Sequence, residues 1–270
     1  LRFLKTYGEY REKSALMRKR KRAGPLLRSG RKYGIEAPMS DLHLAAKISY
    51  VAVAFVPVLL GIILHEVAHG WAALRCGDPT ARMLGRLTLN PVPHIDPAGT
   101  AVFVFTALFS PFVFGWAKPV PINPNRMRNP RTGVIWTSLA GPASNLLIAF
   151  VMMIPFRILE SIPISSEAMY NTLSIIYSIL YFFILVNIGL AVFNLIPIPP
   201  LDGSNILLGF LPYKAIYWVQ QHRQVISFVF LILIFSDFLD TPLSYLQQLI
   251  FKGFTFLTNW VPLMVSGLTG

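Results

Sequence analysis

Four stretches of this chain carry no Lys, Arg, Asp or Glu: residues 51–64, 146–155, 175–197 and 225–235. With their flanks, several reach the ~18–20 apolar residues needed to span a hydrocarbon core as a helix. The pattern predicts membrane helices over about residues 44–74, 133–156 and 172–197. A further apolar region, 225–266, is interrupted by SDFLDTP at 236–242 and reads as one or two more helices. Between the first two spans the character changes. Residues 76–99 are punctuated by Gly, Pro, Asn and Asp, and within them residues 85–90 alternate Arg and Thr with Leu. That alternation predicts a short strand or hairpin bounded by turns. Residues 101–116 are apolar but short and contain Pro111, and 118–131 form a proline-rich loop with four positive charges.

Composition narrows the class. Hydrophobic residues make up 54% of the chain and charged residues 13%, about half the charge of an ordinary soluble domain. The expected fold is an all-α polytopic membrane protein with a core of three transmembrane helices, a short membrane-associated β hairpin, a re-entrant segment and one or two C-terminal helices. The net charge of +12 is concentrated at one end. Residues 1–38 hold 12 Lys and Arg against 3 Glu, including RKRKR at 18–22, which leaves only +3 on the remainder. Such a tail can meet anionic lipid or nucleic acid, or stand as a disordered, solvated arm. The arm is the simpler reading, so no nucleic-acid partner is expected. Met39 sits just ahead of the first apolar run, so residues 1–38 are set apart as an extension that need not be native, and 39–270 are taken as one membrane-embedded domain. The single cysteine, Cys76, excludes a disulfide within the chain and reads as a small residue near a helix end.

The candidate chemistry lies at the end of the first span. HEVAH at 65–69 places His65 and His69 four residues apart, on one face of a helix, as two zinc ligands require. Glu66 between them is placed to take a proton from a metal-bound water. The five-residue pattern alone is weak evidence. Three ionisable groups in one turn of a membrane helix strengthen it, because they are costly there unless they function.

A catalytic zinc needs a third protein ligand. A metzincin arrangement would place Gly at 72 and His at 75, where this chain has Ala72 and Arg75, and the next Glu is Glu160. Among the aspartates, Asp202 stands out. It follows a proline-broken helix end in NLIPIPPLDG, where unwound backbone can deliver a side chain into the membrane interior. Asp78 and Asp96 lie in turn-like sequence and read as caps, and Asp237 and Asp240 flank a turn.

These elements together carry a resemblance. HEVAHGW, GPASN at 141–145 and NLIPIPPLDG at 194–203 are similar to the three signature elements of the site-2 protease family of intramembrane zinc metalloproteases. NPVPHIDPAGT and FGWAKPVPINP look like segments of its compact prokaryotic branch. The resemblance covers roughly residues 40–270, in order. It implies one Zn2+ per chain held by His65, His69 and Asp202, activation of the attacking water by Glu66, and a hydrogen bond from Asn145 to the substrate carbonyl or oxyanion. From the residues alone, Asn145 also reads as an interhelical hydrogen bond. Gly141 and Pro142 would allow close packing and a bend beside it.

The expected function is hydrolysis of peptide bonds within or next to transmembrane segments of membrane-protein substrates. A membrane metal transporter and a non-catalytic membrane scaffold that retains the metal site are the alternatives. Residues 85–90 are either a substrate-pairing edge or a plain structural hairpin. The substrate-contact candidates are Gly85, Leu87, Leu89, Asn90 and His94, the last also weighed as an alternative ligand.

If His65 and Asp202 share one metal, an even number of crossings separates them. Spans 133–156 and 172–197 supply two, so 101–116 is expected to be re-entrant or interfacial, with Pro111 marking the break. The loops on the metal side then carry Arg75, Arg82, Arg86, Lys118, Arg126, Arg128, Arg131, Lys214 and Arg223. The opposite loop offers Glu160 and Glu167, with Arg157 near it. The positive-inside tendency places the active site toward the cytoplasm of a multi-pass cell-membrane protein. The basic tail is then left on the outer side, which this arrangement does not explain.

Overall fold

The structure, a computed structural model, describes residues 44–109, 115–162, 166–236 and 238–269. The basic tail, residues 1–38, and Pro111 lie outside the described residues, as does Asp237. Three long apolar helices form the core: α1 (Leu44–Cys76), α4 (Pro130–Ser161) and α5 (Glu167–Asn194). Each contains a stretch long and apolar enough to cross a membrane, at Phe55–Cys76, Pro130–Ser161 and Thr172–Asn194. Between α1 and α4 come a single turn, α2 (Thr80–Met83), and α3 (Pro97–Phe109). After α5 follow α6 (Asp202–Phe210), α7 (Tyr213–Gln221), α8 (Arg223–Phe235), α9 (Asp240–Leu257) and α10 (Trp260–Thr269).

Lipid tails are as apolar as leucine, so burial from water does not drive these helices together; close packing and polar contacts do. The core between α4 and α5 is built from Ala149, Met153, Phe156, Tyr181, Ile184 and Ile188, with Phe251 of α9 edge-on to Phe156 and Tyr181. Pro57, Pro142 and Pro155 lie inside helices, tolerated where neighbouring helices satisfy the freed backbone groups. The helix directions follow from cross-contacts. Ascending positions on α1 meet descending ones on α4: Gly61 lies beside Asn145, and His69 beside Thr137. Asn145 also meets Asn187, while Phe156 stacks near Tyr177. Both pairs are therefore antiparallel. The ends of α1 and α5 and the start of α4 lie together, as the even-crossing argument requires. At the far end Arg157 pairs with Glu160 and donates to Asn259 at 3.0 Å, and Tyr177 donates to Glu160 at 3.3 Å.

Three expectations change. No strand forms among the described residues, so the hairpin expected at 85–90 is absent. Gly85 sits in the left-handed region (φ +66°) as the chain leaves α2, and the backbone beyond it is irregular up to a 3-10 turn at Val92–His94. The nearby segment 115–123 carries Pro119 and Pro121, which have no N–H to give to a ladder. Second, among the described residues the C-terminal region is three helices rather than one or two, and none of them has the length and hydropathy of a span. Third, residues 202–221, left unassigned in the sequence, form α6 and α7.

The polar aspartates do cap and shape loops. Asp96 accepts from Gly99 N–H at 2.8 Å at the start of α3. Asp78, fully buried, accepts from Thr80 and from Asn123 N–H at 2.6 Å, which ties the exit of α1 to the loop before α4. Burial pushes its carboxyl upward, but the Thr80 and Asn123 hydrogen bonds, with Arg126 nearby, hold it below the usual carboxylate range.

Candidate metal centre

His65 and His69, one turn apart on α1, both turn inward and are 7% and 6% exposed. Facing them on α4 is Gly141. A Cβ there would sit 2.5 Å from His69 Cε1 and Nε2 and 2.6 Å from His65 Cε1, so only glycine lets the α4 backbone lie against both rings. Asp202 arrives from the other side as the first residue of α6. The chain doubles back sharply between Leu195 and Leu201, and Gly203 packs directly against the carbonyls of Leu195 and Ile196. This fold-back sets the Asp202 carboxylate beside the imidazoles, as the proline-broken helix end suggested.

The imidazole hydrogen bonds define what the cluster can hold. His65 Nδ1 is 2.6 Å from Asn145 Oδ1, and His69 Nδ1 is 2.6 Å from the Thr137 carbonyl. Both partners only accept, so both rings carry their proton on Nδ1 and present an Nε2 lone pair inward. The two Nε2 atoms are 2.9 Å apart and lie 3.1 and 3.2 Å from Asp202 Oδ2. With both rings neutral, three acceptors face one another, and a cation set between them resolves the repulsion. His65, His69 and Asp202 form a group whose ligand atoms all lie within 4.8 Å. Two imidazole nitrogens and one carboxylate oxygen suit zinc, and three protein ligands are the number that catalytic zinc sites use. The outward bonds to Asn145 and Thr137 are the ones that fix tautomer and ring orientation in such centres.

Asn145 is fully buried, and its amide is fully used. Nδ2 donates to the Gly61 carbonyl at 3.1 Å and to Asn187 Oδ1 at 2.8 Å, while Oδ1 accepts from His65. Asn187 in turn donates to the Phe183 carbonyl at 2.9 Å. Glu66, on the adjoining face of α1, accepts the Val120 N–H on Oε2 at 2.7 Å.

The other sequence candidates lie elsewhere. His94 is fully buried and lies outside the metal-ligating group, its Nε2 donating to the Thr88 carbonyl at 2.9 Å. Asn90 Oδ1 accepts from Val92 N–H, Leu87 packs over Gly70, and Leu89 is exposed. Sequence reasoning missed Thr137, which acts through a backbone carbonyl and has no sequence signal. It also passed over Asn187, whose signal was present: an amide in the middle of an uncharged span.

Fold and site together define a membrane protein whose helix bundle carries, at one end, a group of two histidines and an aspartate able to hold a metal ion. Comparison with known proteins makes the assignment particular. Residues 53–236 match Peptidase family M50. The chain is 34% identical over 194 residues to "Putative zinc metalloprotease YwhC" of Bacillus subtilis, covering 72% of this chain and 84% of that one. It is 29% identical over 167 residues to "Putative zinc metalloprotease Rip2" of Mycolicibacterium smegmatis, covering 59% of each chain. Against the protein of the same name from Mycobacterium tuberculosis it is 31% identical, covering 54% of this chain and 52% of that one. No solved structure matches. The chain belongs to peptidase family M50, the site-2 protease family, and is a membrane zinc metalloprotease.

Proposed function

We propose that this protein cleaves peptide bonds within or next to transmembrane segments of protein substrates, with His65, His69 and Asp202 holding the zinc and Glu66 serving as the base. The observation that carries the proposal is the setting of the centre: His65 and His69 lie buried within the apolar span Phe55–Cys76, and Asp202, half-buried, follows the end of the span Thr172–Asn194. Zinc bound there supplies a Lewis acid and makes a water acidic enough to attack at neutral pH. Glu66 takes the proton of the attacking water and returns it to the departing amide nitrogen, so the carboxylate ends each cycle as it began. Asn145 acts on His65 by fixing its tautomer. The oxyanion role expected from the resemblance would require it to release Gly61 or Asn187.

The segment around α3 fits a re-entrant reading. Thirteen residues of helix rise about 20 Å, short of a ~30 Å core. The chain then returns beside its start, with Lys118 N–H donating to the His94 carbonyl at 2.9 Å and Gly99 packed on the backbone of Trp116. The metal end of the bundle is then the basic, cytoplasmic side. A transporter needs ligands along a path, and among the described residues no second group of three metal-ligating side chains exists.

The test is cleavage of a single-span substrate by the full chain in detergent. Glu66→Gln should hold zinc and lose activity by several orders of magnitude, whereas Asp202→Ala should lose the zinc. Wild-type activity in Glu66→Gln would refute the mechanism.

A further inference from the structure

Glu66 is held by a part of the chain with a sequence design of its own. In the stretch Lys118, Pro119, Val120, Pro121, the two prolines have no N–H, and each residue that precedes a proline is confined to extended backbone. Val120 therefore presents the one amide donor between Lys118 and Ile122, on a segment that cannot coil. That donor meets Glu66 Oε2 at 2.7 Å. The segment lies flat on α1. Val120 is 5% exposed, and its Cγ1 is 3.0 Å from where a Cβ on Gly70 would stand. Two anchors hold it. Lys118 N–H donates to the His94 carbonyl, and Arg86 Nη2 donates to the carbonyls of Lys118 at 2.7 Å and Pro119 at 3.3 Å.

Arg86 is the unusual member. It is 9% exposed, and its hydrogen-bond partners among the described residues are those two carbonyls rather than a carboxylate. Burying a guanidinium against neutral partners is costly, and this one clamps the peptide unit that carries the Val120 N–H and the unit before it. A glutamate side chain has three torsions to immobilise, and a base misplaced by an ångström forfeits much of its effect.

We propose that Arg86 is a positioning residue for catalysis: through the carbonyls of Lys118 and Pro119 it sets the Val120 N–H, which pins one oxygen of Glu66 and leaves the other free to take the proton. The proposal rests on Glu66 being the base.

Five variants of the full chain in detergent test it, three single substitutions in the strap, Glu66→Gln and its double with Arg86→Met, with zinc content, kcat and KM measured separately. Arg86→Met keeps an apolar stem without the donors, and Arg86→Lys returns a charged donor nitrogen without the planar fork. Val120→Pro removes the amide hydrogen and leaves Arg86 in place. Arg86→Met and Val120→Pro should each lower kcat roughly 10- to 100-fold, leave KM within about twofold and retain one zinc per chain, with Arg86→Lys falling between Arg86→Met and wild type. In a Glu66→Gln background, Arg86→Met should cost less than about twofold more, because residues acting as a unit are not additive. Wild-type kcat in both single variants would overturn the proposal. So would an equal loss from Arg86→Met with and without Glu66, or a loss confined to KM. Loss of zinc from both single variants would assign the strap to holding the bundle together instead. Full activity in Glu66→Gln alone would remove the base reading itself, a separate failure.

Discussion

Replacing Asn145 tests how the centre is organised. Its Oδ1 accepts from His65 at 2.6 Å, and its two amide hydrogens go to Gly61 and Asn187 in a fully buried setting. Leucine at 145 keeps the branched heavy-atom shape and removes all three bonds, leaving His65 Nδ1–H, the Gly61 carbonyl and Asn187 Oδ1 without this partner. Each buried group so orphaned costs about 1–3 kcal/mol. The share that falls on His65 is felt by zinc, because the apo ring can turn while the bound ring cannot. At ~1.4 kcal/mol per tenfold, that share weakens zinc about 5- to 150-fold, which agrees with the ~10–100-fold typical for removing a partner behind a metal-bound histidine. Asn145→Asp separates the two roles. It keeps an acceptor for His65 and loses both donors, so zinc affinity should hold near wild type even if folding stability falls. Competition with a chromophoric chelator in detergent measures the affinity, and kcat/KM on zinc-saturated protein measures catalysis. Wild-type zinc affinity in Asn145→Leu together with a large loss of kcat in both variants would refute the positioning argument and restore the oxyanion role.

Two further perturbations probe the packing and the loops. Gly141→Ala inserts a methyl 2.5 Å from His69 Nε2, so the purified protein should lose most of its zinc while its helix content by circular dichroism stays near wild type; normal zinc content would show that α4 can shift away. Asp78 has its folded pKa below the ordinary ~3.9 of an unfolded chain. Its contribution is therefore present above that ordinary value and is lost as pH falls through the folded value. Asp78→Asn should lower the thermal midpoint at pH 7, by an amount corresponding to about 1.5–3 kcal/mol for hydrogen bonds to a charged group, and the gap to wild type should close below about pH 4. A gap independent of pH would mean the carboxylate charge is not what matters.

The parts of the site that could be read from sequence are those where polarity breaks an apolar run. His65, Glu66 and His69 at the end of a span, and Asp202 after a run of prolines, are each costly enough in a membrane to demand a purpose. The requirement that they share an ion then fixed the number of crossings between them. Residues 85–90 had no such constraint. Alternation of Arg and Thr with Leu describes a strand only if a partner strand exists, and here Arg86 is drawn inward by two carbonyls while Leu87 packs over Gly70. The division between α9 and α10 did have a local mark. It falls at Thr258 and Asn259, where Pro262 in the first turn of α10 has no N–H to bond back to the Thr258 carbonyl. Asn259 then accepts from Arg157 of α4 across the bundle.

The same contrast separates the two histidine partners. Thr137 serves His69 with a backbone carbonyl that any residue could offer. In helical register that carbonyl faces the Gly141 N–H, and a carbonyl oxygen has a second lone pair with which to accept from His69. Asn145 serves His65 with a side chain that only a few residue types can replace. A substitution at 137 should therefore be tolerated by the metal as long as the helix stays in place, and one at 145 should not. The centre thus rests on one side-chain contact and one backbone contact. The backbone contact depends on Gly141, which lets α4 come close enough to reach the ring. The motif at 141–145 is then one device: its glycine admits the helix and its asparagine holds the His65 ring.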